Sequence, residues 1–154
     1  MRRPIFGDPT AGAVLRIVLA GVLLFAGGIK IVEPHGARDA INAYRVFPPS
    51  WAPVLGYALP LLEVALGLLL AMGIMVRASA AVTALLMLGF IAGIASVWYR
   101  GYSIDCGCFG GGGDISPQGR ALRYTQEIIR DSAFTGMALW LYRWPATRWS
   151  LERL

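Results

Sequence analysis

Two apolar runs separated by a single arginine constrain this chain more than anything else in it. Residues 53–76 carry one charge, Glu63, and residues 78–99 carry none; only Arg77 stands between them. At 1.5 Å per residue, each run is long enough to cross a hydrocarbon core of about 30 Å as an α-helix. So short a connection makes the pair an antiparallel hairpin. The rest of the chain agrees with lipid as the solvent. Charged residues make up 15% of the sequence, against about 25% in soluble domains. The mean hydropathy is +0.59. At 154 residues, one membrane domain covering 1–154 is the expectation.

A further apolar segment spans 14–32, with Arg16 near its start and Lys30 near its end. It lacks the small-residue cleavage pattern of a signal peptide and is read as a retained first span. Its two basic side chains are expected to snorkel to the interface. Glu33-Pro34 ends it, because Pro cannot continue the hydrogen-bond ladder. In 37–47, Ala40, Ile41 and Tyr44 recur at helical spacing among Arg38, Asp39, Asn42 and Arg45, which fits a short amphipathic helix lying in the interface. Trp51 then sits where a headgroup-level aromatic belongs. A long loop, 100–119, precedes the last helix. Ser116-Pro117 reads as its N-cap and first helical position, and the span is placed at 122–144. Its first turns are polar (Arg120, Arg123, Glu127, Arg130, Asp131) and its end is apolar and aromatic. The predicted fold is therefore all-α: an integral-membrane four-helix bundle, spans at about 14–32, 53–76, 78–99 and 122–144, with a short interfacial helix in the first outer loop and both termini on one side.

The net charge is +5, but the basic residues flank the apolar runs instead of forming a stripe with interleaved aromatics. They read as anchors to the lipid surface, and nucleic acid is not an expected partner. Orientation is not decided by counting. Arg2, Arg3, Arg16, Arg77, Arg143, Arg148 and Arg153 fall on one side, and Lys30, Arg38, Arg45, Arg100, Arg120, Arg123 and Arg130 on the other. Because Arg2 and Arg3 precede the first helix, the termini are placed inside a cytoplasmic membrane and the 100–119 loop outside.

That loop holds both cysteines, in Asp105-Cys106-Gly107-Cys108-Phe109-Gly110. A disulfide needs Cα atoms about 4.4–6.8 Å apart, which residues i and i+2 meet if the backbone bends, and Gly107 permits the bend. So small a ring is strained, and strained, exposed disulfides are the labile or catalytic kind. The attacking species is a thiolate; Arg100 and the Arg120/Arg123 face are placed to stabilise it and Asp105 to oppose it. The competing reading is a pair of buried structural thiols. The Gly110–Gly113 run lacks the Lys-Ser/Thr of a phosphate loop and reads as flexibility that lets a partner reach the sulfurs. No metal is expected: a closed zinc site wants four ligands, and the one histidine, His35, reads as solvated. Glu63, a carboxylate in mid-span, should face the bundle interior, paired with Arg130 or Lys30, as a proton carrier, as a polar group beside a quinone-like acceptor, or as a tie between helices. Arg130 and Asp131 should lie just beneath the cysteine loop.

Together these residues resemble the MauE branch of the DoxX-like membrane proteins. The resemblance rests on Gly101-Tyr102-Ser103-Ile104-Asp105-Cys106-Gly107-Cys108-Phe109-Gly110, supported by Lys30…Glu33-Pro34, Tyr44…Pro48, Leu59-Pro60-Leu61-Leu62-Glu63 and Arg130-Asp131. It implies a redox-associated membrane protein working with an extracytoplasmic thioredoxin-like partner in maturing exported proteins. Taken with that resemblance, the residues make Cys106 and Cys108 the expected catalytic pair of a thiol–disulfide relay, with Glu63, Asp105, Gly107, Phe109 and Arg130 in support; a membrane quinone is the candidate cofactor, as final electron acceptor or donor. The rival is a non-enzymatic subunit or chaperone that docks a secreted redox protein. A small-molecule transporter ranks last, since four short helices leave little room for alternating access.

Overall fold

The computed structural model describes residues 7–151; Arg2, Arg3 and Arg153, the terminal members of the charge count, lie outside them. Five helices follow one another: α1 (Pro9–Val32), α2 (Pro34–Tyr44), α3 (Ala52–Met72), α4 (Val76–Tyr99) and α5 (Arg120–Arg143), with a 3₁₀ turn at Pro49–Trp51 leading into α3. Among the described residues the β pairing lies inside the cysteine loop: a two-residue antiparallel ladder between β1 (Ile104–Asp105) and β2 (Gly113–Asp114), and an isolated bridge between Cys108 and Gly110.

Among the described residues, three segments are long and apolar enough to cross a membrane: Pro9–Val32, Pro49–Met72 and Val76–Tyr99. The fourth long helix, α5, is not among them, because its first half carries Arg120, Arg123, Glu127, Arg130 and Asp131. α1 packs along α3, and α4 along α5; α1 also meets α5, and α3 meets α4. Leu19, Leu23, Leu66, Leu70, Ala80, Ala84, Met87, Ala138 and Leu141 form the main core.

Small residues let α1 and α3 approach closely. A Cβ on Gly27 would lie 2.8 Å from the carbonyl oxygen of Pro60, and one on Gly67 would lie 2.8 Å from Leu24. The close approach brings Lys30 of α1 to Glu63 of α3, with Nζ 2.8 and 3.0 Å from the two carboxylate oxygens. Both side chains are buried. Of the two partners expected for Glu63, Lys30 takes the role and Arg130 does not. Lys30 therefore does not snorkel to the interface: an internal carboxylate holds it.

Arg16 departs from the snorkelling expectation as well. It is 1% exposed. Its guanidinium donates to the carbonyls of Leu70 (2.6 Å), Ala71 (3.0 Å), Arg148 (3.2 Å) and Trp149 (3.1 Å). The last carbonyls of a helix lack intrahelical donors and carry partial negative charge, so Arg16 is neutralised by the end of α3 and by the C-terminal tail. The backbone amides of Arg148 and Leu151 donate to Pro9 and Met72. The start of α1, the tail and the α3–α4 turn therefore share one end of the molecule, and α2 and the cysteine loop occupy the other.

Two boundaries differ from the expected ones. The hairpin turn is Gly73–Met75, and Arg77 lies in the first turn of α4. Gly73 (φ +68°) ends α3, with Gly73 N–H donating to Leu70 and Ile74 N–H to Leu69, the paired bonds of a Schellman motif. The start of α5 also lies later than Ser116-Pro117. The chain at 113–115 is tied back to 103–105 by the ladder and by Ile115 N–H on Ser103. The Ser116 hydroxyl caps a local turn through Gln118 N–H, and the helix begins after Gly119 at φ +73°.

Candidate functional site

The site is the meeting of α2, the cysteine loop, the last turns of α4 and the first half of α5. α2 buries Ala37, Ala40 and Ala43, a stripe of small side chains about one turn apart, and the Cys-Gly-Cys segment lies directly on it. Gly107 has φ +67°, and a Cβ there would come 2.5 Å from the Cβ of Ala40. Gly112 (φ +144°) packs on the carbonyl of Gly36, and Gly36 in turn faces the carbonyl of Gly111. These glycines are thus positions of backbone-to-backbone contact, which a side chain would prevent. The expectation that the run supplies flexibility gives way to close packing.

Cys106 and Cys108 are both free thiols and both buried, at 8% and 6% exposure. The exposed pair expected from a polar, glycine-rich loop is instead covered, because α2 lies over it. The Cys108 backbone N–H points at Cys106 Sγ, 3.4 Å away. The Glu127 carboxylate lies near the Cys106 thiol. Asp105 accepts from Gly107 N–H at 3.0 Å, which holds the bend between the cysteines. The Tyr44 hydroxyl donates to the Cys106 carbonyl at 3.2 Å. Tyr124 is fully buried; its hydroxyl accepts from Ile104 N–H and donates to the Tyr102 carbonyl, both at 2.9 Å. It thereby pins the entry of the loop to α5.

The Cys108 thiol is pushed well above its ordinary range, first by its hydrogen bond with Cys106, then by burial and by the negative charge of Cys106 and Asp131, with Lys30 opposing. Burial also pushes the Tyr44 phenol up, with Cys108, Cys106, Glu127 and Asp131 adding to it, so Tyr44 stays a neutral donor. A thiolate is favoured by donors and disfavoured by desolvation. Cys106 has such a donor in the Cys108 amide.

Two of the basic residues expected to stabilise a thiolate are occupied elsewhere. Arg100 donates to the carbonyls of Tyr44 (2.5 Å) and Arg45 (3.3 Å) and stacks on Tyr102. Arg120 donates to the Gly101 carbonyl and the Ser103 hydroxyl, and Arg123 is exposed. Arg130 stands close enough to act electrostatically on both sulfurs. It lies 4.6 Å over the Phe109 ring and donates through Nε to Asp131 at 2.9 Å. Phe109 also contacts Phe25, at 6.2 Å between centroids, and so couples the loop to α1. Glu63, Cys108 and Asp131 line one void of about 10 Å³ together with Phe109 and Phe134, close to the size that holds a single water. Glu63 is thereby brought to the cysteine site, as are Asp105, Gly107, Phe109 and Arg130.

Sequence reasoning misses Glu127 and Tyr124 as site residues. The signal is present as a period: Tyr124, Glu127, Asp131, Thr135, Ala138 and Leu141 are the buried face of α5, spaced three and four apart. Charge in the first turns masks it. Among the described residues, no group of three or more His, Cys, Asp or Glu is placed to hold a metal ion, and His35 is exposed.

A larger cavity of about 500 Å³ lies between α2, α3 and α4, with Cys106, Gly107 and Cys108 in one wall. Among the described residues, Lys30 is the one charged side chain lining it. No curated protein and no solved structure matches the chain. The family model for methylamine utilisation protein MauE does match it, over residues 8–143. That stretch takes in α1 to α5 and the whole cysteine site, and the chain is a membrane protein of the MauE family.

Proposed function

We propose that the protein is a thiol–disulfide relay of the cytoplasmic membrane, exchanging electrons between the Cys106/Cys108 pair and an extracytoplasmic thioredoxin-like protein in the maturation of exported proteins. The observation that carries the reading is the placement of two free thiols one residue apart on a bend that Asp105 holds through Gly107 N–H, with the Cys108 amide on Cys106 Sγ. A bent i, i+2 pair is the geometry in which two such sulfurs can close a disulfide. With the pair oxidised, a thiolate of the partner attacks Cys106. The Cys106–Cys108 bond breaks, Cys108 leaves with the electron pair and takes up a proton, and a mixed disulfide forms. The partner's second thiolate then displaces Cys106. The partner ends as a disulfide and the chain as two thiols, with Glu127 as the group that exchanges the Cys106 proton.

In this reading α5 is the fourth span of a four-helix bundle. Its polar residues Glu127, Asp131 and Thr135 face inward, and Leu122, Ile129 and Leu139 are exposed. α2 lies in the interface, covering the site. The termini face the cytoplasm and the cysteine loop the oxidising side, where disulfides persist.

The reading is tested by trapping. A Cys106→Ser or Cys108→Ser variant is expected to accumulate a mixed disulfide with an exported thioredoxin-like protein. The relay fails if neither variant traps a partner and the double variant keeps full function in maturation. One observation favours a second reading, a non-enzymatic subunit that docks a secreted redox protein: both sulfurs are buried in the resting structure. Under that reading the double Cys→Ser variant stays functional and still co-purifies with its partner.

A further inference from the structure

We infer that the cavity between α2, α3 and α4 is the binding site of a membrane-soluble quinone, which takes the electrons of the cysteine pair. The inference rests on the relay reading and supplies its second half. Four features of the cavity converge. Its volume, about 500 Å³, falls within the roughly 300–1,000 Å³ typical of small-molecule sites. Its walls are nearly all apolar, and it lies between two helices apolar enough to cross a membrane. Its α4 wall reaches the outer surface of the bundle, where Leu85 is 69% exposed and Gly89 and Ala92 are also exposed. A ligand can therefore enter from the hydrocarbon layer. A Cβ on Gly89 would meet no atom within 4 Å, so that part of the wall is open for lack of a side chain. Finally, Cys106 and Cys108 line the inner wall together with Lys30.

Among apolar molecules that dissolve in lipid, a quinone is the class whose chemistry matches a dithiol. Two thiols lose two electrons and two protons as the Cys106–Cys108 bond forms. The quinone ring gains two electrons and two protons and becomes a quinol. Lys30 supplies the polar element of the site. An ammonium has three donors, and Glu63 takes two of them. The third is available to a ring oxygen, where positive charge stabilises the anion that forms as electrons arrive. The burial of both sulfurs, which hinders a protein partner, presents no obstacle to a ligand already inside the cavity.

The experiment uses the full chain in detergent micelles or nanodiscs, reduced, freed of reductant and mixed with decylubiquinone. One quinol is expected per cysteine pair. Gly89→Leu, which puts a side chain into the open part of the wall, should slow the reaction at least tenfold. Gly21→Leu on α1, where a Cβ likewise meets nothing within 4 Å, should leave it unchanged. Wild-type rates in Gly89→Leu overturn the site. An absence of quinol from a wild-type pair that still exchanges with its protein partner overturns the quinone and leaves the relay standing. The Cys106→Ser/Cys108→Ser variant, photolabelled with an azidoquinone, tests the cavity independently of thiol chemistry. Labelling of α4 and α2 residues that Gly89→Leu abolishes supports the site even if the relay fails, and labelling elsewhere refutes it.

Discussion

Neutralising Lys30 by Lys30→Met should destabilise the bundle far more than the loss of one hydrogen bond. Lys30 and Glu63 are 7% and 1% exposed, and the ammonium spans both carboxylate oxygens at 2.8 and 3.0 Å. Among the described residues no other cation pairs with Glu63. Removing one partner of a buried pair leaves the other charged and desolvated, at a cost of about 3–5 kcal/mol. The same range is expected for Glu63→Leu, which strands the ammonium instead. Replacing the pair together, Lys30→Met/Glu63→Leu, removes both charges and keeps side chains that fill the space between α1 and α3. The double variant should therefore lie within about 1–2 kcal/mol of wild type, since well-packed apolar replacements of a buried pair are often neutral or better. Simple addition of the single losses would give about 6–10 kcal/mol, so the cycle predicts a coupling of several kcal/mol. Reversible unfolding in mixed micelles, followed by tryptophan fluorescence, measures all four proteins. Single variants within about 1 kcal/mol of wild type, or a double variant at the sum of the singles, would refute the buried ion pair as the tie between α1 and α3.

Three further outcomes follow from the same structure. Gly107→Ala introduces a Cβ 2.5 Å from that of Ala40 at a φ of +67°; about 1–3 kcal/mol of backbone strain should lift α2 from the loop, and faster alkylation of both cysteines reports it. The raised Cys108 pKa predicts that its alkylation rate, resolved by mass spectrometry, keeps climbing above about pH 8.5, where a free thiol is half ionised, and a plateau at or below that pH would contradict the assignment. By linkage, a thiol whose proton is held more tightly in the folded state contributes stability that is intact below the unfolded pKa and is lost as pH rises through the folded one. Arg16→Leu removes the donor shared by Leu70, Ala71, Arg148 and Trp149; a loss of at least about 3 kcal/mol and proteolysis within 145–151 are expected, while an intact tail would show that Arg16 does not clamp it.

Much of the fold is legible in the sequence because the bilayer is a simple solvent. A helix that crosses it must be apolar for most of its length, so α1, α3 and α4 announce themselves in a chain of this composition. α5 is legible only in part, since its inward face carries the polar residues of the site and its apolar face reads as ordinary hydrophobic scatter. The turn at Gly73–Met75 is harder to place because Arg77 attracts the boundary, although Gly73 is the residue able to take the left-handed cap. Of the candidate site, Asp105, Cys106, Gly107, Cys108 and Phe109 stand out because they are contiguous, and Arg130 because it is charged beside an apolar stretch. Glu127, Tyr124 and Tyr44 come to the cysteines from two other helices; helical spacing marks them as inward-facing, but not as neighbours of the thiols.

The sequence by itself determined that this chain lives in lipid, that its spans are helices, and that two thiols share one loop. Those are properties of composition and spacing, read one segment at a time. Only the tertiary structure decided that Lys30 pairs with Glu63, that Arg16 turns inward, that α2 covers the cysteines, and that a cavity opens behind them. Each of these depends on how closely two segments far apart in sequence can approach. That distance is set by small residues such as Gly27, Gly36, Ala40 and Gly107 meeting across an interface. A glycine's lack of a side chain is visible in one chain position, but the neighbour that requires it is not.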